Sequence, residues 1–234
     1  MRAIYIREMR AYFTTPIGYL FLAVYFLISG AVFSYSTLYA LSGDVTTYFT
    51  VMLFLDAILL PLLTMKSFSE ERKQKTDQLL LTAPISLTSM VLAKFLAAYT
   101  MFFGVTCVSS LSFLILYRYA VVDTAILLGN LVAILLVGMA FIAAGIFVSS
   151  ITENQLASAV GTVGILLFFL AVSFLNAVIP FYWVRFVLSG ISIFARYQNF
   201  LQGIFDVASL VYYLSVSAAF LFLTVRVFAK RRWD

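Results

Sequence analysis

Thr124-AILLGNLVAILLVGMAFIAAGIFV-Ser149 runs for 26 residues without a charged side chain. An α-helix rises about 1.5 Å per residue and the hydrocarbon core of a bilayer is about 30 Å thick, so roughly 20 apolar residues span it. This stretch therefore reads as a transmembrane helix. Five others meet the same requirement: 17–38, 46–65, 87–117, 156–177 and 207–228. The third is longer than the hydrocarbon demands, and its start, Leu87 to Lys94, is expected to project into the cytosol as helix. The breaks between spans are polar: Ser42-Gly43-Asp44, the charged run Lys66–Asp77, Arg118–Asp123 and Thr152-Glu153-Asn154-Gln155.

The rest of the composition agrees. Of 234 residues, 64% are hydrophobic and 11% charged, whereas soluble domains are near half apolar and a quarter charged. The fold expected is all-α, an integral membrane protein with six transmembrane helices in one domain, 1–234. The run 17–38 follows Arg2, Arg7 and Arg10 but is too long for the core of a signal peptide, and no small-residue cleavage site follows it. Cys107 stands alone in an apolar run, so no disulfide forms within the chain, and with no His no zinc cluster can be assembled.

Orientation follows the distribution of Lys and Arg. With the N-terminus inside, Arg2, Arg7, Arg10, Lys66, Arg72, Lys73, Lys75, Lys94, Arg226, Lys230, Arg231 and Arg232 fall on the cytoplasmic side, twelve of 15 basic residues. Both termini are expected in the cytoplasm. Residues 1–15 carry Ile4, Tyr5, Met9, Tyr12 and Phe13 at roughly helical spacing among charges, which predicts an interfacial helix ahead of Pro16 and Gly18. Segment 178–206 is apolar but interrupted by Pro180, Arg185, Gly190, Arg196 and Gly203. Two arginines deep in lipid would cost about 2.5–3.5 kcal/mol each. Short re-entrant helices on the outer face, with both arginines reaching headgroups, are expected there.

Catalytic signatures are absent from the sequence. There is no His, no HExxH, no G-x-S-x-G and no Gly-Lys pair of a phosphate-binding loop. No catalytic or metal-binding residue is assigned, and the chain is not expected to be an enzyme. Its basic residues follow topology and suit anionic headgroups, so membrane lipids are expected partners and nucleic acid is not.

The most informative connector is Lys66-SFSEERKQKTDQLLLTAPI-Ser86. Four residues would suffice to turn the chain. This one leads with charge, continues with Leu79-Leu80-Leu81 and stops at Pro84, which discourages helix at Ala83. It predicts an amphipathic helix over 68–83 presented as a docking surface.

At this connector the sequence resembles the ABC-2-type exporter permeases. Phe68, Glu71, Arg72, Thr76, Leu79 to Leu81, Thr82, Ala83 and Pro84 stand where members show Phe-x-x-Glu-Arg, Gly-Thr, a Leu triplet and Thr-Ala-Pro; Lys75 replaces the family's Gly. Arg7-EMRAYFTTPI-Gly18 resembles the family's elbow helix, Ser149–Gln155 its short turn before span five, and Phe200–Asp206 and Arg231-Arg232-Trp233 its outer segment and basic tail. The elbow and Thr76–Thr82 look closest to permeases grouped with gliding-motility transport. The resemblance implies a bacterial inner-membrane exporter subunit that works with two cytoplasmic ABC ATPase subunits and a second permease, identical or homologous. This chain would bind no cofactor; ATP and Mg would sit on the ATPase. Phe68, Glu70, Glu71, Arg72, Lys73, Thr76, Leu79 and Leu80 are the implied coupling residues, with Arg7, Glu8 and Arg10 on the elbow.

Three residues are candidates for a transport pathway. Asp56, near the middle of span two, reads either as a cation, proton or pore-lining site or as a neutral acid hydrogen-bonded between helices; the lack of a His or Lys relay favours the second. Tyr25 and Tyr35 belong to a polar, aromatic stripe in span one that either lines a pathway or sits in the interface belt. Gly138, Ala144, Gly145, Ala157, Gly161 and Gly164 favour close helix packing within the chain. The alternative function is an ATP-independent secondary transporter or channel, for which Asp56 and Pro61 are the sequence hints.

Overall fold

The computed structural model describes residues 1–40, 43–76, 86–119, 122–178, 190 and 192–233. Among these no strand occurs, and six helical stretches are long and apolar enough to cross a membrane: Pro16–Tyr39, Thr46–Lys73, Leu87–Tyr119, Thr124–Ile151, Gln155–Ser173 and Val207–Arg231. The expected six spans are found in their expected places. In chain order the helices are α1 (Arg2–Thr14), α2 (Pro16–Phe33), α3 (Thr46–Thr64), α4 (Ser69–Lys73), α5 (Leu87–Ser110), α6 (Ser112–Tyr119), α7 (Thr124–Ile151), α8 (Gln155–Val178), α9 (Ile193–Leu201) and α10 (Val207–Trp233).

Local chemistry sets most helix starts. Pro16 opens α2, where a missing N–H costs nothing. Elsewhere a side-chain oxygen accepts from a first-turn amide. Asp44 accepts from Thr46 N at 2.9 Å, Asp123 from Ala125 N at 2.9 Å and Asp206 from Ala208 N at 3.0 Å. Asn154 takes Leu156 N at 3.0 Å, Ser86 takes Ser89 N at 3.3 Å and Ser192 takes Ala195 N at 3.0 Å. At its other end α2 widens into a π-helical turn, Ser34–Tyr39.

The bundle is built around α7. Of its most apolar stretch 72% is buried, against 28% for α2 and 22% for α10, and α10, α3, α8 and α5 all pack on it. Glycines permit the closest approaches. A Cβ at Gly138 would stand 2.0 Å from the Phe102 ring, and one at Gly145 would stand 2.2 Å from Thr64 Oγ1. These two glycines pack within the chain as the sequence predicts, and Gly161 faces Val148; Ala157 and Gly164 are exposed. Between α2 and α5, Ser29 meets Ser109 at 3.1 Å and Tyr25 meets Thr106 at 3.4 Å, polar rungs that tie apolar helices together.

Helix α1 ends where Thr15 adopts an extended conformation (φ −99°, ψ 149°) and the chain turns into α2. The turn is tight: a Cβ on Gly18 would lie 1.9 Å from the Tyr12 carbonyl oxygen. Ile4 is buried, Tyr5 donates to Thr100 Oγ1 at 3.1 Å, and Tyr12 donates to Leu63 O at 3.3 Å. The helix thus lies across α5 towards the end of α3.

One expectation is corrected. The helix predicted over 68–83 is interrupted: α4 is five residues long and closes at Gln74. Lys75 then takes a left-handed conformation (φ 56°). Thr76 N donates to Glu71 O at 2.9 Å and Lys75 N to Arg72 O at 3.1 Å, the paired bonds of a Schellman ending. Residues 77–85, with Leu79 and Leu80, lie outside the described residues. The start of span three is helical as expected: α5 begins at Leu87, and Lys94 within it is 2% exposed. Of segment 178–206, α9 is described, with Arg196 over the Tyr212 ring at 4.6 Å. Arg185 lies outside the described residues.

Candidate functional site

The elbow, the connector and the foot of span three meet in an ion cluster. Glu8 and Glu71, 63 positions apart in sequence, share the same two cations. Arg7 Nη2 lies 2.7 Å from Glu8 Oε1 and 2.6 Å from Glu71 Oε1. Lys94 Nζ lies 3.1 Å and 3.0 Å from the same two oxygens and donates to Ser67 O at 2.5 Å. Burial alone would lower the Arg7 guanidinium; its hydrogen bond and charge interaction with Glu8, joined by those with Glu71, more than reverse this and raise it. The other Glu71 oxygen is buried without a hydrogen-bond partner among the described residues. Beside the cluster lies a cavity of about 250 Å³ whose walls include Tyr12, Lys66 and Glu70.

Below the ions the connector is held by packing and by backbone bonds. Phe68 is 2% exposed. Its ring stands 4.8 Å from Lys94 Nζ on one side and 4.6 Å from the Phe228 ring of α10 on the other. Ser149 Oγ, near the end of α7, accepts from Phe68 N at 3.0 Å and Ser69 N at 3.1 Å, and donates to Met65 O at 3.3 Å. Arg72 pairs with Glu153 at 3.0 Å and donates to the Ile151 carbonyl. Arg231 donates to Ser150 O at 2.9 Å. Cations thus meet the unpaired carbonyls at the C-terminus of α7, where the helix dipole is negative.

The sequence-derived candidates divide clearly. Phe68, Glu71 and Arg72 join Arg7 and Glu8 in this assembly. Glu70 pairs with Lys66 at 3.6 Å on a half-exposed face, and Thr76 closes the Schellman turn. Lys73 and Arg10 are exposed and outside the cluster. Lys94 and Ser149 carry contacts that sequence reasoning did not assign, although both stood in motifs it singled out. Pairing across 64 to 86 positions leaves no trace in one sequence.

Of the pathway candidates, Tyr25 and Asp56 share the buried interior and Tyr35 stands apart from them. Tyr25 and Asp56 are each 1% exposed within the core, whereas Tyr35 is 75% exposed and stacks on Tyr39. Neither Asp56 oxygen finds a hydrogen-bond partner among the described residues, so the expected interhelical bond is not present there.

The ion cluster thus joins the first helix, the connector and the foot of a span. The family comparison decides the rest: residues 9–173, more than half of the chain, match the model described as ABC-2 family transporter protein. The chain belongs to the ABC-2 transporter family. The match begins within the elbow helix of this ABC-2 protein, takes in the whole connector and ends in span five. No curated protein matches the sequence. The ABC-2 family is one of membrane components, and the six apolar helices make this a multi-pass membrane protein.

Proposed function

We propose that the chain is the permease subunit of an ATP-binding cassette exporter, forming the translocation pathway and taking its power from separate cytoplasmic ATPases. Membership of the ABC-2 family supports a transporter. The observation that carries the coupling is the ion cluster, in which Lys94 and Arg7 bind the elbow (Glu8) and the connector (Glu71) as one unit. A displacement of α4 by a docked ATPase would move α1 and the foot of α5 with it. A second permease subunit, identical or homologous, and two ATPases, with ATP and Mg on the latter, complete the assembly in this reading. The twelve clustered basic residues support cytoplasmic termini in a bacterial inner membrane, with α1 lying at the headgroup level. The resemblance of the elbow and of Thr76–Thr82 to gliding-motility-type permeases supports a kinship with that subgroup in this reading.

The test is co-expression with candidate ATPases that lack membrane spans, reconstitution in nanodiscs, and measurement of complex formation and ATP turnover. Reversing Glu71 and Arg72 together (E71R with R72E) is expected to weaken assembly or lower permease-stimulated turnover. Unchanged complex and turnover would remove coupling from this segment. The Asp56 carboxyl, without a hydrogen-bond partner among the described residues, favours a second reading, an ATP-independent secondary transporter or channel. Transport by purified protein in liposomes without nucleotide, abolished in Asp56→Asn, would select it.

A further inference from the structure

At the basic end of the bundle α5 and α10 leave an open apolar groove of about 400 Å³. Val91 and Leu92 form one wall, and Leu221, Phe222 and Val225 form the other. Along α10 the groove extends from Ala218 to Ala229, about 16 Å of helix, close to the depth of one leaflet of an approximately 30 Å core. It opens outward: Leu92 is 40% and Phe222 55% exposed. An open apolar channel of this length on a membrane-spanning surface fits an acyl chain.

Its basic end has a different chemistry. Arg226 lines the groove with its guanidinium 4.9 Å above the Phe222 ring, and Lys230 follows one turn later on the same face. Neither forms a salt bridge among the described residues, unlike Arg7, Lys66, Arg72 and Lys94. Opposite them stands Thr88, in the first turn of α5. Ser86 Oγ takes the Ser89 amide there, and the amides ahead of it have no acceptor within the helix. Arg226, without a salt bridge among the described residues and across the groove from a helix N-terminus, makes a site for an anion, and basic pockets between membrane helices bind acidic headgroups.

We propose that this groove holds one acyl chain of an anionic phospholipid, its phosphate between Arg226 and the N-terminus of α5. The site is independent of any ATPase. The experiment is native mass spectrometry of the full chain, delipidated and then offered equal amounts of phosphatidylglycerol and phosphatidylcholine of the same chain length. Wild type is expected to retain phosphatidylglycerol preferentially. Arg226→Gln should reduce that preference roughly fivefold. Ala218→Phe, or Val225→Phe where the first does not fold, should reduce retention by filling the groove while leaving the charge in place. Equal retention of the two lipids by wild type would overturn the proposal. So would loss in Arg226→Gln with normal retention in the groove-filling variants, which would reduce the effect to diffuse surface charge.

Discussion

Removing the Lys94 ammonium would leave Glu8 and Glu71 facing Arg7 alone, in a site where Lys94 itself is 2% exposed. Breaking a buried pair by deleting one partner costs about 3–5 kcal/mol, because the remaining charge is uncompensated. Lys94→Met is therefore expected to destabilise the protein by that order in denaturant titration in detergent. Glu71→Gln should recover part of the loss, since coupled sites are non-additive; strictly additive losses would show that Lys94 and Glu71 do not interact. Lys75 presents the opposite case. A left-handed conformation costs a residue with a Cβ about 1–2 kcal/mol. Lys75→Gly should stabilise the turn by about 1 kcal/mol, and Lys75→Val should weaken it. Amide exchange at Thr76 reads both: slower in the first, faster in the second. The signal for this position was already in the sequence, because the resemblance called for Gly there. The partners of Lys94 left no such mark, since nothing local to residue 94 specifies positions 8 and 71.

At the scale of elements, the elbow depends on the approach of Gly18 to the Tyr12 carbonyl. Gly18→Ala would force backbone apart, and overpacking of this kind costs about 1–3 kcal/mol. The expected result is a lower unfolding midpoint together with faster proteolysis of α1, because that helix must swing away from α5. The start of α10 offers a pH test. The Ser209 hydroxyl and the Ala208 amide hold the Asp206 carboxyl below its ordinary value of 3.8. With the folded value below the unfolded one, the cap's contribution is complete above the ordinary carboxylate range and lost as pH falls through the lower folded value. Protection of the Ala208 and Ser209 amides, measured against their intrinsic exchange rates, should fall on acidification through that window, and Asp206→Ala should lower it at every pH. Long apolar runs and their polar caps were legible because both are local. The short α4 was not, because its ending lies in one backbone angle that a leucine triplet downstream seemed to contradict.

For the whole molecule, six spans place α4 and α9 at opposite ends of the bundle. Single cysteines at Lys73 and Arg196 are expected to react with a membrane-impermeant maleimide from opposite sides of sealed vesicles. Labelling of both from one side would overturn the topology. The central place of α7 could be anticipated from a run apolar on every face, which suits a helix surrounded by others. The separation of Tyr35 from Tyr25 and Asp56 could not, because it depends on how the spans rotate about their axes. The two arginines at the end of α7 carry a mechanical consequence. Arg72 from the connector and Arg231 from the last helix both grip the tip of a 28-residue rod, about 42 Å long. Under the proposed function, a push delivered at that tip would run lengthwise through the most deeply buried span of the bundle, and the outer helices would pivot around it as around an axle.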